Sequence, residues 1–348
     1  MRFNSLQFGK AMSAALFVLL LVVVGSKNAL AQTQVATLQH GDDVSVFYGT
    51  NAFVEAHTAA QTGDIITLSS GTFVPTTITK AITLRGAGCA IDTVANTNPT
   101  IFGGNIELNV ADTANFLTIE GILFTNQVKY RTLYNPTFNR CNFTVVDNST
   151  SNGYMYDAQF VNCIIQTINF NNTRTPVFIN SVVWKSDRFF ESEHNTVVLY
   201  NSIFAGVTDS HGQYDALSAY NSIIIRTNYY CAKSASTFIN CIGIDKYDAT
   251  YPNPFGQGYT TGCTTYTSYE DVFESFTGEF SMDEQFILKD EIATGFLGGD
   301  GTQVGIYGGM LPYSNRPTYM VLKRCNVANK STIDGKLSVD IEVVTEEE

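Results

Sequence analysis

The sequence predicts an all-β fold in which short parallel strands wind into a solenoid of about 20 residues per coil, with a helix over the first coil. Three observations predict it. Six hexapeptides share one shape: 138–143 (FNRCNF), 160–165 (FVNCII), 178–183 (FINSVV), 199–204 (LYNSIF), 219–224 (AYNSII) and 238–243 (FINCIG). Their Cys or Ser positions lie 22, 18, 21, 20 and 19 residues apart, and Asn precedes that position in the last five. Charged residues are only 15% of the 348, which suits strands and turns and argues against a helical bundle.

The chain opens with Met1, Arg2 and Lys10, then an apolar run over 14–24 and the small-x-small triplet 29–31 (ALA). This is the pattern of a signal peptide cut after Ala31. The run is too short for a comfortable membrane span, and no later run is longer. The expected location is therefore outside the cytoplasm: periplasmic, cell-surface or extracellular. The whole chain carries 20 basic against 32 acidic residues, net −12, and loses three further basic residues with the leader. Nucleic acid is an unsuitable partner for such a surface.

Residues 53–61 form an amphipathic pattern expected to be a short helix. Strand patterns follow at 63–68 (GDIITL) with 71–73 (GTF), and at 82–88 (ITLRGAG). A degenerate copy of the repeat, 118–123 (TIEGIL), precedes the first full one by 20 residues. An isolated coil cannot bury its apolar side chains, so coils stack and share a core. Phe138, Phe160, Phe178, Leu199 and Phe238 are then expected to point inward, as are Cys141, Cys163 and Cys241. Asn tolerates the left-handed backbone of a sharp bend, and stacked Asn side chains can bond from coil to coil. The seven Cys cannot all pair within one chain, and C-x-x-C spacing is absent, so no metal site is expected from them. Past Pro312 and Pro317, residues 336–343 alternate like a strand in a tail too small to fold alone. The expected organisation is a leader over 1–31, a solenoid with its cap over 32–312, and a linker with a short β tail over 313–348.

The opening 63–73 segment, the 82–88 coil and the glycine-tyrosine segment 301–309 (GTQVGIYGG) resemble the right-handed parallel β-helix proteins of the pectate-lyase-like superfamily, and more closely the secreted ones common in Bacteroidetes. The resemblance covers roughly residues 40–312. It implies the right-handed β-helix and, for enzymes of the superfamily, acidic polysaccharide substrates. Their lyase motif R-x-P-x-x-R is half present: Arg174, Thr175 and Pro176 fit, but Ile179 stands at the second Arg. Their W-x-D-H element is broken after Trp184, and the paired Asp residues of the hydrolases do not occur in the coils.

Two candidate sites remain. Lys185, Asp187, Arg188, Glu191, Glu193 and His194 crowd one stretch, with Asp209, His211 and Asp215 at similar offsets one coil later and Arg226 two coils on. A lyase could use His211 as base and Lys185 or Arg188 to neutralise a uronate, with Asp187 and Asp209 holding Ca²⁺. Otherwise no cofactor is expected. The second candidate is an outward strip of Val161, Ile179, Tyr200, Tyr220 and Ile239, whose Tyr pair suits stacking on sugar rings; Trp184 is a further ligand-binding candidate. The sequence thus favours a non-catalytic solenoid that binds a polysaccharide or a cell-surface partner. A divergent lyase or hydrolase acting on acidic glycans and a structural envelope protein are the alternatives.

Overall fold

The computed structural model describes residues 34–93, 97–148, 153–169, 173–187, 196–206, 216–227, 232–316, 321–327 and 339–344. Strands over residues 65–266 wind into a parallel β-solenoid with two long sheets. In a typical coil, Thr137–Asn139 of the first sheet is followed by a bend at Arg140 and by Asn142–Asn148 of the second. From the Thr118–Glu120 coil onward the bend residue has positive φ: Gly121, Arg140, Asn162, Asn180, Asn201, Asn221, Asn240 and Gly262. That is the left-handed region Asn and Gly tolerate best. The residue after the bend opens a new strand direction, so the chain turns a corner without a loop.

The coils stack in register. Phe138 pairs with Phe160, Phe160 with Phe178, Phe178 with Leu199, Leu199 with Ala219 and Ala219 with Phe238. Each is buried, as expected. Ring centroids in the Phe138–Phe160–Phe178 run are 4.9 Å apart at each step. This spacing is that of neighbouring strands, so the ladder needs no adjustment for its rings to stack. A second ladder on the opposite sheet, Phe102, Phe124 and Phe143, meets the first edge-on at Phe138.

The Cys/Ser positions close the corner. Ser181 Oγ donates to the Ile179 carbonyl (2.8 Å) and accepts the Cys163 amide (3.0 Å); Ser202 Oγ accepts the Ser181 amide and Ser222 Oγ the Ser202 amide, each at 3.1 Å. Cys141, Cys163 and Cys241 take the same place, buried and free, with their thiols against the carbonyls two residues back. Burial, then the neighbouring Cys141, pushes the Cys163 thiol well above its usual range. A bond from Cys241 pulls the half-buried Cys263 thiol at the last coil below the usual range. Native-state alkylation is therefore expected to modify Cys263 and spare Cys141 and Cys163 until the chain is unfolded. Peptide mapping checks this, and early labelling of Cys163 would contradict the packing.

The helix is Ala52–Ala59, starting one residue and ending two residues before the expected 53–61. It buries Ala52, Phe53 and Ala56, with the Phe53 ring 4.9 Å from Phe102, so it extends the core ladder by one aromatic layer. The sequence reading missed the element before it. Val35–His40 pairs antiparallel with both Asp43–Tyr48 and Ile65–Leu68. This hairpin occupies the first edge of the parallel stack.

At the other end the expectation needs correction. The segment 301–309 is not a coil. The solenoid strands end at Thr264–Tyr266 and the chain folds back along the outside. Tyr269, Val272, Phe273, Phe276, Phe286, Val304 and Ile306 pack on the outer faces of Ile164, Val182, Trp184, Ile203, Ile223 and Ile242. The second sheet is thus buried on both faces there, which is why its strands read IIIR and IGID without alternation. The Asn side chains do not bond to one another among the described residues. They hold this returning segment instead: Asn180 Nδ2 donates to the carbonyls of Ile306 (2.8 Å) and Gly308 (2.7 Å), and Asn221 Oδ1 accepts the Gly299 amide (3.0 Å). The predicted tail strand exists as Val339–Val344, paired antiparallel with Val321–Val327.

Candidate functional site

The outward strip is where the sequence put it. Val161, Ile179, Tyr200, Tyr220 and Ile239 occupy one column of the first sheet, all at least partly exposed. Tyr200 is 43% exposed, and its ring stacks on that of Tyr220 with centroids 5.2 Å apart and planes 16° from parallel. One face of each ring is therefore spent on the other. Each ring thus keeps at most one face for stacking on a sugar.

A better-formed concavity lies on the other sheet. A cleft of about 370 Å³ opens where the returning segment crosses the strands carrying Gln166 and Trp184. Trp184 and Lys185 come from Val182–Asp187, whose register with Ile164–Asn169 puts Val183 beside Ile165 and Lys185 beside Thr167. Trp184 is 9% exposed; Phe280 stacks on it at 5.4 Å and Phe276 meets it edge-on at 5.3 Å. Tyr269 forms a further wall. Gly278 allows it: a Cβ there would stand 2.6 Å from the Tyr269 ring. Burial, then Glu270, pushes the Tyr269 phenol up to about 12, so it stays a neutral hydroxyl. Lys246 Nζ lies 4.9 Å from the centre of that ring. Lys185, exposed, and Glu279 give the cleft one charge of each sign, and Gln166 adds an amide.

Of the residues singled out from sequence, Trp184 and Lys185 meet in this cleft, while Tyr200 and Tyr220 lie on the other sheet. Arg226 does not serve as a free ligand group. Its Nη1 donates to Asp245 Oδ2 at 2.9 Å and its guanidinium lies 4.8 Å from the Tyr247 ring centre, because Asp245 is its register partner one coil on. Trp184 is likewise a packing residue first, with only its margin left to a ligand. Asp187 ends its strand, but its side chain lies outside the described residues. Arg188, Asp209 and His211 also lie outside them, as do Glu191, Glu193, His194 and Asp215. Among the described residues no group of three His, Cys, Asp or Glu side chains is placed to hold a metal ion. The cleft residues Gln166, Tyr269, Glu279 and Phe280 were missed. The last three belong to a segment without a repeat, and its spaced aromatics Tyr269, Phe273, Phe276 and Phe280 were the available signal.

The chain matches no protein-family model, no curated protein and no solved structure. The fold is a parallel β-solenoid of the pectate-lyase-like type, an architecture that hosts both enzymes and binding surfaces. Among the described residues no helix is long and apolar enough to cross a membrane.

Proposed function

We propose that this chain is an exported saccharide-binding solenoid, contacting a polysaccharide through the cleft lined by Lys185, Tyr269, Phe280 and the margin of Trp184. One observation carries the reading: three aromatic walls from two layers, Trp184, Tyr269 and Phe280, converge with Lys185, Glu279 and Gln166 in a single concavity. Its volume falls in the roughly 300–1,000 Å³ range of small-ligand sites. Apolar ring surface takes the C–H faces of a sugar, while the amide and the two charged groups take its hydroxyls. Lys185 adds tolerance for a uronate in an otherwise acidic protein. Binding without turnover fits the motif positions filled by Ile179, Ser186 and Asp187, and Arg226 being held by Asp245. Export rests on the leader pattern of residues 1–31.

A glycan array read with the wild type, Phe280→Ala and Lys185→Ala tests this. Phe280→Ala removes one wall and is expected to weaken every bound glycan by about tenfold, the equivalent of about 1.4 kcal/mol. Lys185→Ala should weaken acidic glycans selectively. Binding identical to wild type in both variants would remove the cleft from the function. Growth of unsaturated-uronate absorbance on incubation with any acidic glycan would instead make the protein a lyase.

A further inference from the structure

A second cleft, of about 440 Å³, lies further towards the N-terminal coils on the same outer face. Its walls come from residues 90–93, 282–285 and 313–316, and Asn142 forms part of its floor. Asn142 occupies a column of the second sheet that continues as Ile164, Val182, Ile203, Ile223 and Ile242. Every later member is aliphatic and buried under the returning segment. Asn142 is buried just as deeply, 2% exposed, yet its Oδ1 has no hydrogen-bond partner among the described residues. An unpaired buried amide is costly, and an Ile there would extend the column at no such cost. Unlike Asn162 and Asn201, whose place is fixed by the left-handed bend, Asn142 has no backbone reason to be polar, and it lies on the floor of an open cleft.

The walls say what would satisfy it. Among the described residues that line the cleft, Asp92, Asp283 and Glu284 stand against one cation, Arg316, whose Nε lies 3.5 Å from Asp92 Oδ2. The excess of two negative charges disfavours a uronate or phosphate. The Glu284 carboxylate also accepts the Gln285 amide at 3.1 Å, which fixes that wall. Carboxylates and an amide oxygen require donors, and hydroxyl groups supply donor and acceptor together. Ile91, Met282 and Tyr313 provide apolar surface beside them.

We infer that the Asn142 cleft is a second binding site, for a non-acidic saccharide, neutral or amine-bearing. It shares no residue with the Trp184–Phe280 cleft and does not rest on it.

Asn142→Ile is the test, because it continues the aliphatic column and should fold. Its unfolding midpoint is expected to rise. On a glycan array of neutral, amine-bearing and acidic glycans, it should lose binding of at least one neutral or amine-bearing glycan by about tenfold or more. Acidic glycans should bind as to the wild type, and the Phe280→Ala variant should keep the glycans that Asn142→Ile loses. Calcium titrated alone forms the control arm. The inference is overturned if no glycan distinguishes Asn142→Ile from wild type, which would leave an ordered water as the amide's partner. It is overturned equally if the variant loses only acidic glycans, or only calcium. A variant that does not fold is replaced by Asn142→Val and by Asp283→Ala at the wall, read against the same outcomes.

Discussion

Asp245→Ala is expected to destabilise the protein by about 3–5 kcal/mol, the range for removing one member of a buried, hydrogen-bonded ion pair. Asp245 is fully buried. Its Oδ1 accepts the amides of Tyr247 and Asp248, both at 3.0 Å, and its Oδ2 accepts the Asn253 amide at 2.7 Å and Arg226 Nη1 at 2.9 Å. Alanine would leave the guanidinium, itself 11% exposed, without its carboxylate, and three amides without their acceptor. The consequence extends into the core. The loop that these bonds fold delivers Pro254 and Phe255 to the end of the aromatic ladder, where Phe255 lies 4.9 Å from Phe238. Gly243 makes the room: a Cβ there would stand 2.3 Å from Pro254 and 2.8 Å from the Phe255 ring. Asp245 thus holds the plug that closes the distal core. Urea unfolding monitored by far-ultraviolet circular dichroism measures the loss. Asp245→Asn should fall between, since an amide keeps one acceptor but not the charge. A loss under about 1 kcal/mol for Asp245→Ala would mean that the loop holds Phe255 without it.

What the sequence made legible is what repeats. The bend, the inward Phe and the small Cys or Ser recur because each coil solves the same steric problem, so Phe160 or Ser202 could be placed from its neighbours. The ion pair of Arg226 was in view as well: Asp245 stands 19 residues on, the spacing that separates Ser222 from Cys241. The cover over Trp184 had a signal too, in strands such as Ile242–Asp245 that stay apolar on both faces. The identity of that cover was not legible. Residues 267–316 repeat nothing, and their positions follow from which apolar strip remains open after the coils have stacked. Both clefts lie against this non-repeating layer, so neither could be assembled from the periodicity. The Asn142 anomaly was in view, since the fifth position of the six hexapeptides is Asn142, Ile164, Val182, Ile203, Ile223 and Ile242; that a cleft lies over it was not.

Asn180→Leu is expected to cost about 3–4 kcal/mol, combining a strained backbone with the loss of two buried hydrogen bonds, the one to the Gly308 carbonyl being its only donor among the described residues. Asn180 has φ 46 and is 1% exposed, and both protons of its Nδ2 are used on the returning segment, at Ile306 and Gly308. Two variants separate the contributions. Asn180→Gly accepts the left-handed backbone and loses only the side-chain bonds, so its cost should be about 1–2 kcal/mol, and the difference from Leu measures the bend. Asn201→Leu meets the same bend, φ 47, but Asn201 Nδ2 has no partner among the described residues. It should therefore cost less than Asn180→Leu by about the two lost bonds. Limited proteolysis adds a local readout: loss of the Asn180 amide should expose cleavage within residues 298–313 before the coils open, because among the described residues the Gly305 amide on the Asn221 carbonyl is then the backbone-to-backbone tie left between that segment and the coils. Equal destabilisation by Asn180→Leu and Asn201→Leu, with no change in proteolysis, would show that the ladder only turns the chain and does not bind the returning segment to it.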